Sequence, residues 1–278
     1  MKRTIIVAAL AALTLAACGM LLLSGTGCQK LKARDNLNKG VRAYKNAKYA
    51  EAVKSFQEAI ELDPEFTTAR LYLATAYMSQ WIPGAESEEN TKFAKAAQDN
   101  FQMVLDKDPN DKLAIASIAS LYYNQKKFQE AKEWNERLLK VDAQNKEALY
   151  TLGVIAWGKA YPVRGEARAK LSMKPEDPGP LKDKKVREEV REKNLSIVQD
   201  GLKQLEAAVQ VDPDYDDAYA YLNLMHRELA DLAETPEEYK KELELADGYV
   251  QKALEAKKRK AEALEKKAAG GIVQDQQK

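Results

Sequence analysis

Small and bulky apolar residues recur at helical distances along most of this chain. Ala52 is followed four positions later by Phe56 and three positions after that by Ala59. This spacing places the three side chains on one face of an α-helix. The same spacing returns at Ala97, Phe101 and Val104; at Ala131, Asn135 and Leu138; at Gly201, Leu205 and Ala208; and at Ala246, Val250 and Ala253. The pattern predicts a chain built from amphipathic helices.

A second helix is predicted before each of the helices above. It contains a small residue, which in most copies directly follows a large apolar one. The pairs are Leu73-Ala74, Ile118-Ala119 and Leu152-Gly153, and Gly40 marks the first helix. Small residues allow two antiparallel helices to approach closely, and their bulky neighbours fill the groove between them. We therefore expect the helices to pack in pairs.

The stops between the helix pairs are also regular. A dipeptide that is Asp-Pro, or Asp-Ala in one copy, recurs along the chain. Its second residue is Pro64, Pro109, Ala143 or Pro213, and successive copies are 45, 34 and 70 residues apart. Proline ends a helix because it cannot donate the helical hydrogen bond and disfavours helical geometry in the preceding residue. A period of about 34 residues, interrupted by insertions, is typical of a solenoid.

This pattern resembles the tetratricopeptide repeat, a helix-turn-helix unit of about 34 residues. The resemblance runs from Ala33 to about Ala256 and implies an all-α fold, a TPR-like α-solenoid of about five antiparallel helix pairs with a long C-terminal helix. The implied divisions are an N-terminal region 1–28, repeats at 33–66, 67–109, 110–145, 146–213 and 214–256, and a charged helix end with a disordered tail at 257–278. Repeats two, four and five carry insertions. A plain helical bundle remains the alternative.

The N-terminus has the composition of an export signal. Lys2 and Arg3 precede an apolar run from Ile5 to Leu23, which is also just long enough to span a bilayer uncleaved. Residues 15–18, Leu-Ala-Ala-Cys, resemble the bacterial lipobox, and residues 24–28 are a looser match, so Cys18 and Cys28 are both candidate lipidation sites. An uncleaved helix is the third alternative. We expect an exported protein that is anchored to a membrane and faces the periplasm, at the outer membrane rather than the inner one if the cell has both.

Composition excludes several classes of function. Lys+Arg 44 against Asp+Glu 43 leaves a net charge of +1, which argues against a nucleic-acid partner. His226 is the single histidine, so sites that need two histidines cannot form, and both cysteines lie in the N-terminal region. Acidic residues such as Glu86, Glu88 and Glu89 could in principle form a carboxylate pair, but they lie in a polar turn, where carboxylates are usually only solvated. We expect no catalytic activity, no metal and no cofactor, and we expect His226 to fill a gap between helices with one hydrogen bond.

The resemblance also implies where a partner would bind, since the first helix of each pair lines the inner surface of such an array. The positions that face the groove in the family correspond here to Tyr44, Met78, Tyr123 and Trp157, which occupy equivalent places in successive repeats. Leu37, Leu71 and Tyr150 precede them on the same faces. These aromatic and apolar side chains would suit an extended segment or a helix. The alternative is that insertions or the C-terminal helix cover the strip and make it core.

The long insertion, about 161–183, contains four prolines and several basic residues, and we expect an exposed loop there. Helical spacing resumes beyond it, which predicts that the second helix of repeat four is extended. The predicted function is a non-catalytic scaffold that binds other envelope proteins or peptides. The resemblance also allows a subunit of an envelope assembly, of the outer-membrane protein or pilus-secretin type, or a homo-oligomer.

Overall fold

The computed structural model describes residues 27–275, with side chains as far as residue 266. Cys18 and most of the predicted export signal therefore lie outside the described residues. Ten helices and no strand occur in the described part. They are α1 (27–45), α2 (Tyr49–Leu62), α3 (Thr67–Gln80), α4 (Glu88–Lys107), α5 (Lys112–Asn124), α6 (Phe128–Val141), α7 (Lys146–Lys170), α8 (Lys184–Val211), α9 (Asp216–Asp231) and α10 (Pro236–Asp275). The all-α prediction is confirmed.

The described part of the chain divides after Lys127 into two compact units. The described part of the first unit holds α1 to α5, and the second unit holds α6 to α10. Within each unit, helices that follow one another in sequence pack together, and α7 also packs against α9. Each unit is therefore a stack of antiparallel helices, as the predicted solenoid requires. None of these helices is both long and apolar enough to cross a membrane, among the residues the structure covers.

The first unit is built around Phe56, which is fully buried with Ala52, Leu73 and Ala76. Gly40 of α1 lies directly against the Phe56 ring, so closely that a Cβ atom at position 40 would overlap three ring carbons. The absence of a side chain at Gly40 therefore sets the distance between α1 and α2. This contact confirms that the small residue marks a close approach of paired helices.

Glycines have the same role in the second unit. A Cβ atom at Gly153 of α7 would overlap Leu205 of α8, which is fully buried. A Cβ atom at Gly201 of α8 would overlap Met225 of α9, which is also fully buried. At both interfaces of α8, with α7 and with α9, a glycine on one helix thus lies against a bulky side chain of the other. The core is packed so closely at these contacts that it has no room for one additional carbon atom.

Polar side chains define where several helices begin. Ser87, Asp111, Asn145 and Asp183 each accept a hydrogen bond from a backbone N–H in the first turn of the helix that follows. Such caps satisfy donors that the helix leaves unpaired at its start. The Asp residues of the predicted stops, Asp63, Asp108 and Asp212, lie directly after α2, α4 and α8.

The prediction of an exposed loop at 161–183 is wrong. Helix α7 continues through Pro162 to Lys170, and only residues 171–183 form a loop. Met173 and Leu181 of that loop are buried with Ala167, Val186 and Leu232 in a second small core. Pro162 removes one helical hydrogen bond, yet α7 continues because it packs against both α8 and α9. The extension of α8, from Lys184 to Val211, is confirmed.

The C-terminal helix differs from the prediction in one respect. Its backbone is helical as far as Asp275, so the tail expected after Gly270 is helical in the described residues. Arg259 contacts Asp214 at 2.6 Å, and Lys260 pairs with Asp216. These two basic residues therefore attach α10 to the turn before α9 and to the first residue of α9.

Candidate partner-binding site

The predicted groove residues divide between the two units. Tyr44, Met78 and Tyr123 lie on α1, α3 and α5 of the first unit, and Trp157 lies on α7 of the second. All four side chains are half-buried, and so are Leu37, Leu71 and Tyr150. The seven residues are thus neither fully enclosed core nor free surface. Their role in binding stays a prediction.

In the first unit, part of the predicted strip supports the core. Leu37 and Tyr44 pack against the cluster around Phe56. The hydroxyl groups of Tyr44 and Ser79 are 2.9 Å apart and share a hydrogen bond between α1 and α3. The Tyr44 ring also lies 5.3 Å from the ring of Tyr49. Tyr44 therefore joins three helices, which by itself accounts for its position.

The second unit carries a continuous series of five aromatic rings, which we call the aromatic face. Tyr150 lies 5.0 Å from Tyr215 and 5.6 Å from Tyr221, measured between ring centroids. Trp157 lies 5.6 Å from Tyr221 and 4.9 Å from Tyr161. The rings thus follow the order Tyr215, Tyr150, Tyr221, Trp157 and Tyr161, along α7 and the start of α9. Aromatic contacts at these distances stabilise one another and create a large apolar surface.

Two of these five residues, Tyr150 and Trp157, are among the groove positions that the sequence predicts. Tyr150, Trp157 and Tyr161 are seven and four positions apart, which places them on one face of α7, so this spacing is also a usable signal for Tyr161. Tyr215 and Tyr221 join the series only because α9 packs against α7. Tyr161 is 45% exposed, and the other four rings are half-buried.

A cation from the chain covers the ring at each end of the aromatic face. The Lys146 ammonium lies 5.5 Å from the centroid of Tyr215, and the Arg164 guanidinium lies 5.4 Å from that of Tyr161. Cations are attracted to the electron-rich faces of aromatic rings. Tyr221, in the middle of the series, has no such cation among the described residues.

Carboxylates surround the Tyr215 end. Burial, followed by the charges of Glu147, Asp217, Asp212 and Asp216, raises the pKa of Tyr215 to about 12. Burial and the charge of Asp217 also raise the pKa of Tyr221. Both phenols are therefore neutral at physiological pH and face a negative environment. Lys146 lies 2.7 Å from Asp212 and 3.9 Å from Glu147, and Lys260 pairs with Asp216.

A buried ionic cluster lies at the opposite end, between α7 and α9. Arg168 donates to both oxygens of Asp231, at 2.7 and 2.8 Å, and Arg164 lies 3.1 Å from the same carboxylate. Arg164 Nε is 2.9 Å from Glu228 Oε1, but neither atom has a well-directed hydrogen bond. Burial is the main reason that the pKa of Glu228 is raised to about 7. Nothing local in the sequence indicates this cluster, because Arg168 and Asp231 are 63 positions apart.

The remaining candidates for chemistry have structural surroundings. His226 is buried, its Nδ1 lies 2.7 Å from Glu242, and its ring stacks on Tyr249, which confirms its expected role between helices. Glu88 pairs with Lys92 on the surface. No group of three acidic, histidine or cysteine side chains in the described residues is arranged to hold a metal ion. Cys28 is exposed on α1, without a disulfide partner in the described region.

Comparisons with known proteins bear on the fold. Residues 37–112 match a tetratricopeptide repeat family model. No curated protein sequence matches the chain at a significant level. Similar solved structures include a crystal structure of MamA protein, with a TM-score of 0.53 and 15% identity over 83% of this chain and 94% of that one.

Two further structures have the same fold. A fragment of MamA, 41 to the end, from Desulfovibrio magneticus RS-1 gives a TM-score of 0.54 and 15% identity, over 82% of this chain and 96% of that one. YrrB, described as a TPR protein with an unusual peptide-binding site, gives a TM-score of 0.50 and 15% identity, over 80% and 90%. Helix order, packing and these comparisons together lead to one conclusion: the chain has the fold of a tetratricopeptide repeat protein, and residues 37–112 match the family itself.

Proposed function

We propose that this protein is a non-catalytic scaffold that binds a segment of a partner protein on the aromatic face of its second unit. The observation that carries the proposal is the continuous series of five rings on α7 and the start of α9, partly open to solvent. Rings of this kind provide large contact areas at a small cost in side-chain entropy, and tyrosine and tryptophan dominate the energetics of protein interfaces.

The shared fold supports a protein partner. Stacked helix pairs present extended surfaces formed by their first helices, and repeat proteins use such surfaces for binding. YrrB, which has this fold, is described as having a peptide-binding site. We accordingly infer that the ligand is a peptide segment or an exposed helix of another protein.

The proposal includes a place in the cell envelope. It rests on the basic start, the apolar run from Ile5 to Leu23 and the two cysteines, Cys18 and Cys28. Lipidation of either cysteine would hold the scaffold at a membrane and leave the repeats in the periplasm. Labelling with radioactive palmitate, in the wild type and in Cys18→Ser and Cys28→Ser separately, tests this part. Absence of label in the wild type would exclude a lipid anchor.

Site-specific photocrosslinking tests the docking role. A photoreactive phenylalanine analogue at Tyr161, which is 45% exposed, should capture a defined protein in intact envelopes. The matched control places the same analogue at Leu254 of α10, which is 57% exposed and lies outside the aromatic face. Trp157→Ala should reduce capture at position 161. Equal capture at both positions, or capture unaffected by Trp157→Ala, would contradict the proposal, and capture of a second copy would identify a homo-oligomer.

A further inference from the structure

The aromatic face has an acidic edge that the docking role alone does not explain. Glu147 lies three positions before Tyr150 on α7, and Asp217 lies four positions before Tyr221 on α9. Residues at these spacings share a helix face, so each carboxylate stands one turn from an inner ring. The Glu147 side chain is 67% exposed, and Asp217 is exposed. Both acids are therefore accessible beside the rings.

The charges at this edge are unbalanced. Four carboxylates, those of Glu147, Asp212, Asp216 and Asp217, act on the Tyr215 hydroxyl. The cations that pair with them are Lys146, 2.7 Å from Asp212, and Lys260, which pairs with Asp216. Asp217 has no ion pair within the described part of the chain, and Glu147 shares Lys146 with Asp212, at 3.9 and 2.7 Å. Four carboxylates therefore share two cations, which leaves an excess of two negative charges next to the inner rings.

The rings themselves favour a cation. Lys146 and Arg164 already cover the rings at the two ends of the face, at 5.5 and 5.4 Å from the centroids. Tyr221, between them, has no cation above it from the residues that the structure describes. A lysine or arginine side chain from outside would gain cation–π attraction there and would pair with Asp217 or Glu147.

We propose that the aromatic face binds an extended peptide segment in which apolar side chains are followed by lysine or arginine, with the cationic end over Tyr221 and beside Glu147 and Asp217. This inference rests on the proposed docking function and adds the chemistry and direction of the ligand. The charge at the opposite end of the face does not select a cation, because the two positive charges of Arg164 and Arg168 there at least balance those of Glu228 and Asp231.

Three synthetic peptides of one apolar sequence, ending in Arg-Arg, Ser-Ser or Glu-Glu, provide the test. The full chain is attached to a biosensor through a C-terminal tag, in detergent, and binding of each peptide is measured. The Arg-Arg peptide should bind about tenfold more tightly than the Ser-Ser peptide, and the Glu-Glu peptide should bind most weakly. Added salt should reduce the difference, because both carboxylates are exposed.

Variants locate the effect. Asp217→Asn and Glu147→Gln should each weaken binding of the Arg-Arg peptide by about threefold and leave the Ser-Ser peptide unchanged. Asp200→Asn, the same change at an exposed position on α8, should affect neither peptide. Circular dichroism verifies that each variant is folded.

Equal binding of the three peptides, or a preference that survives in Asp217→Asn with Glu147→Gln, would overturn the inference and leave the docking role intact. Failure of every peptide to bind would also overturn it. Photocrosslinking at Tyr161 would then decide separately whether the face binds a protein at all.

Discussion

Arg168 Nη1 donates to both carboxylate oxygens of Asp231, at 2.7 and 2.8 Å, across 63 positions of sequence. Arg168 Nη2 donates to the backbone carbonyls of Lys174 and Asp177, and the Asp231 carbonyl accepts from the backbone N–H of Leu181. The pair thus connects α7, α9 and the loop at 171–183. Because both side chains are buried, neither charge has water as an alternative partner.

Asp231→Asn should destabilise the protein strongly. The substitution keeps the shape but leaves the Arg168 guanidinium buried with a neutral partner, and breaking such pairs costs about 3–5 kcal/mol. We expect the midpoint of urea unfolding to fall accordingly. Asp247→Asn is the matched control, since Asp247 pairs with Arg227 at 2.8 Å on the surface. Its cost should be below about 1 kcal/mol, and similar losses for both variants would contradict a special role for the buried pair.

Glu228→Gln should change how stability depends on pH. Burial raises the pKa of Glu228 from 4.5 to about 7, so the folded chain holds this proton more tightly than the unfolded chain. The resulting stabilisation is fully present below pH 4.5 and is lost as the pH rises to about 7. A shift of this size corresponds to about 3 kcal/mol.

The glutamine variant cannot lose a proton. We therefore expect the thermal midpoint of Glu228→Gln, relative to wild type, to rise between pH 5 and pH 8. Glu188→Gln, on the surface of α8 beside Lys184, is the control and should show no such trend. A constant difference between Glu228→Gln and wild type at all pH values would show that Glu228 stays ionised in the fold.

Gly40→Ala should destabilise the first unit. The new methyl group would overlap the buried ring of Phe56, and forcing extra volume into a packed core costs about 1–3 kcal/mol. Gly158→Ala is the control, because a Cβ atom there meets nothing within 4 Å. Gly158 lies within α7, where alanine is favoured over glycine by about 1 kcal/mol, so this change should stabilise. Opposite signs in thermal melts are expected, and equal effects would argue against close packing at Gly40.

Asn90→Ala should loosen the connection before α4. Asn90 is buried, its side-chain oxygen accepts from the N–H of Ile82 at 2.7 Å, and its amide donates to the carbonyls of Ile82 and Ala85. The variant loses three part-buried hydrogen bonds, each worth about 0.5–1.5 kcal/mol. Hydrogen exchange at Ile82 should accelerate. Asn124→Ala, which removes an exposed hydrogen bond to Ser120 within α5, should leave that exchange rate unchanged.

The helical architecture was predictable because its signals are local. The spacing of Ala52, Phe56 and Ala59 marks a buried helix face, and all three side chains are fully buried in the structure. The stops at Pro64, Pro109 and Pro213 follow from the backbone chemistry of proline in a recurring Asp-Pro dipeptide, whereas Pro162, outside that repeat, does not end α7. Gly40 likewise indicated a close contact, although the sequence did not identify Phe56 as the neighbour.

The candidate site was predictable only in part. Tyr150 and Trp157 follow from their positions on α7, where the helical period places them one above the other. Tyr215 and Tyr221 belong to another helix, and nothing local indicates which rings of α7 they meet. The loop at 171–183 shows the same limit, because its prolines suggested exposure while long-range contacts bury Met173 and Leu181.

The sequence by itself determined the helices of the repeats, the stops at Asp-Pro and the pairing of the helices, because hydrophobic period, small residues and proline act within a few positions of one another. Tertiary structure alone decided that the rings of α7 and α9 form one face, that the acids Glu147 and Asp217 stand beside it, and that Arg168 meets Asp231. These relationships depend on how the packed helices are rotated and how far apart they lie. Both quantities result from the packing of many side chains together, so no single stretch of sequence encodes them.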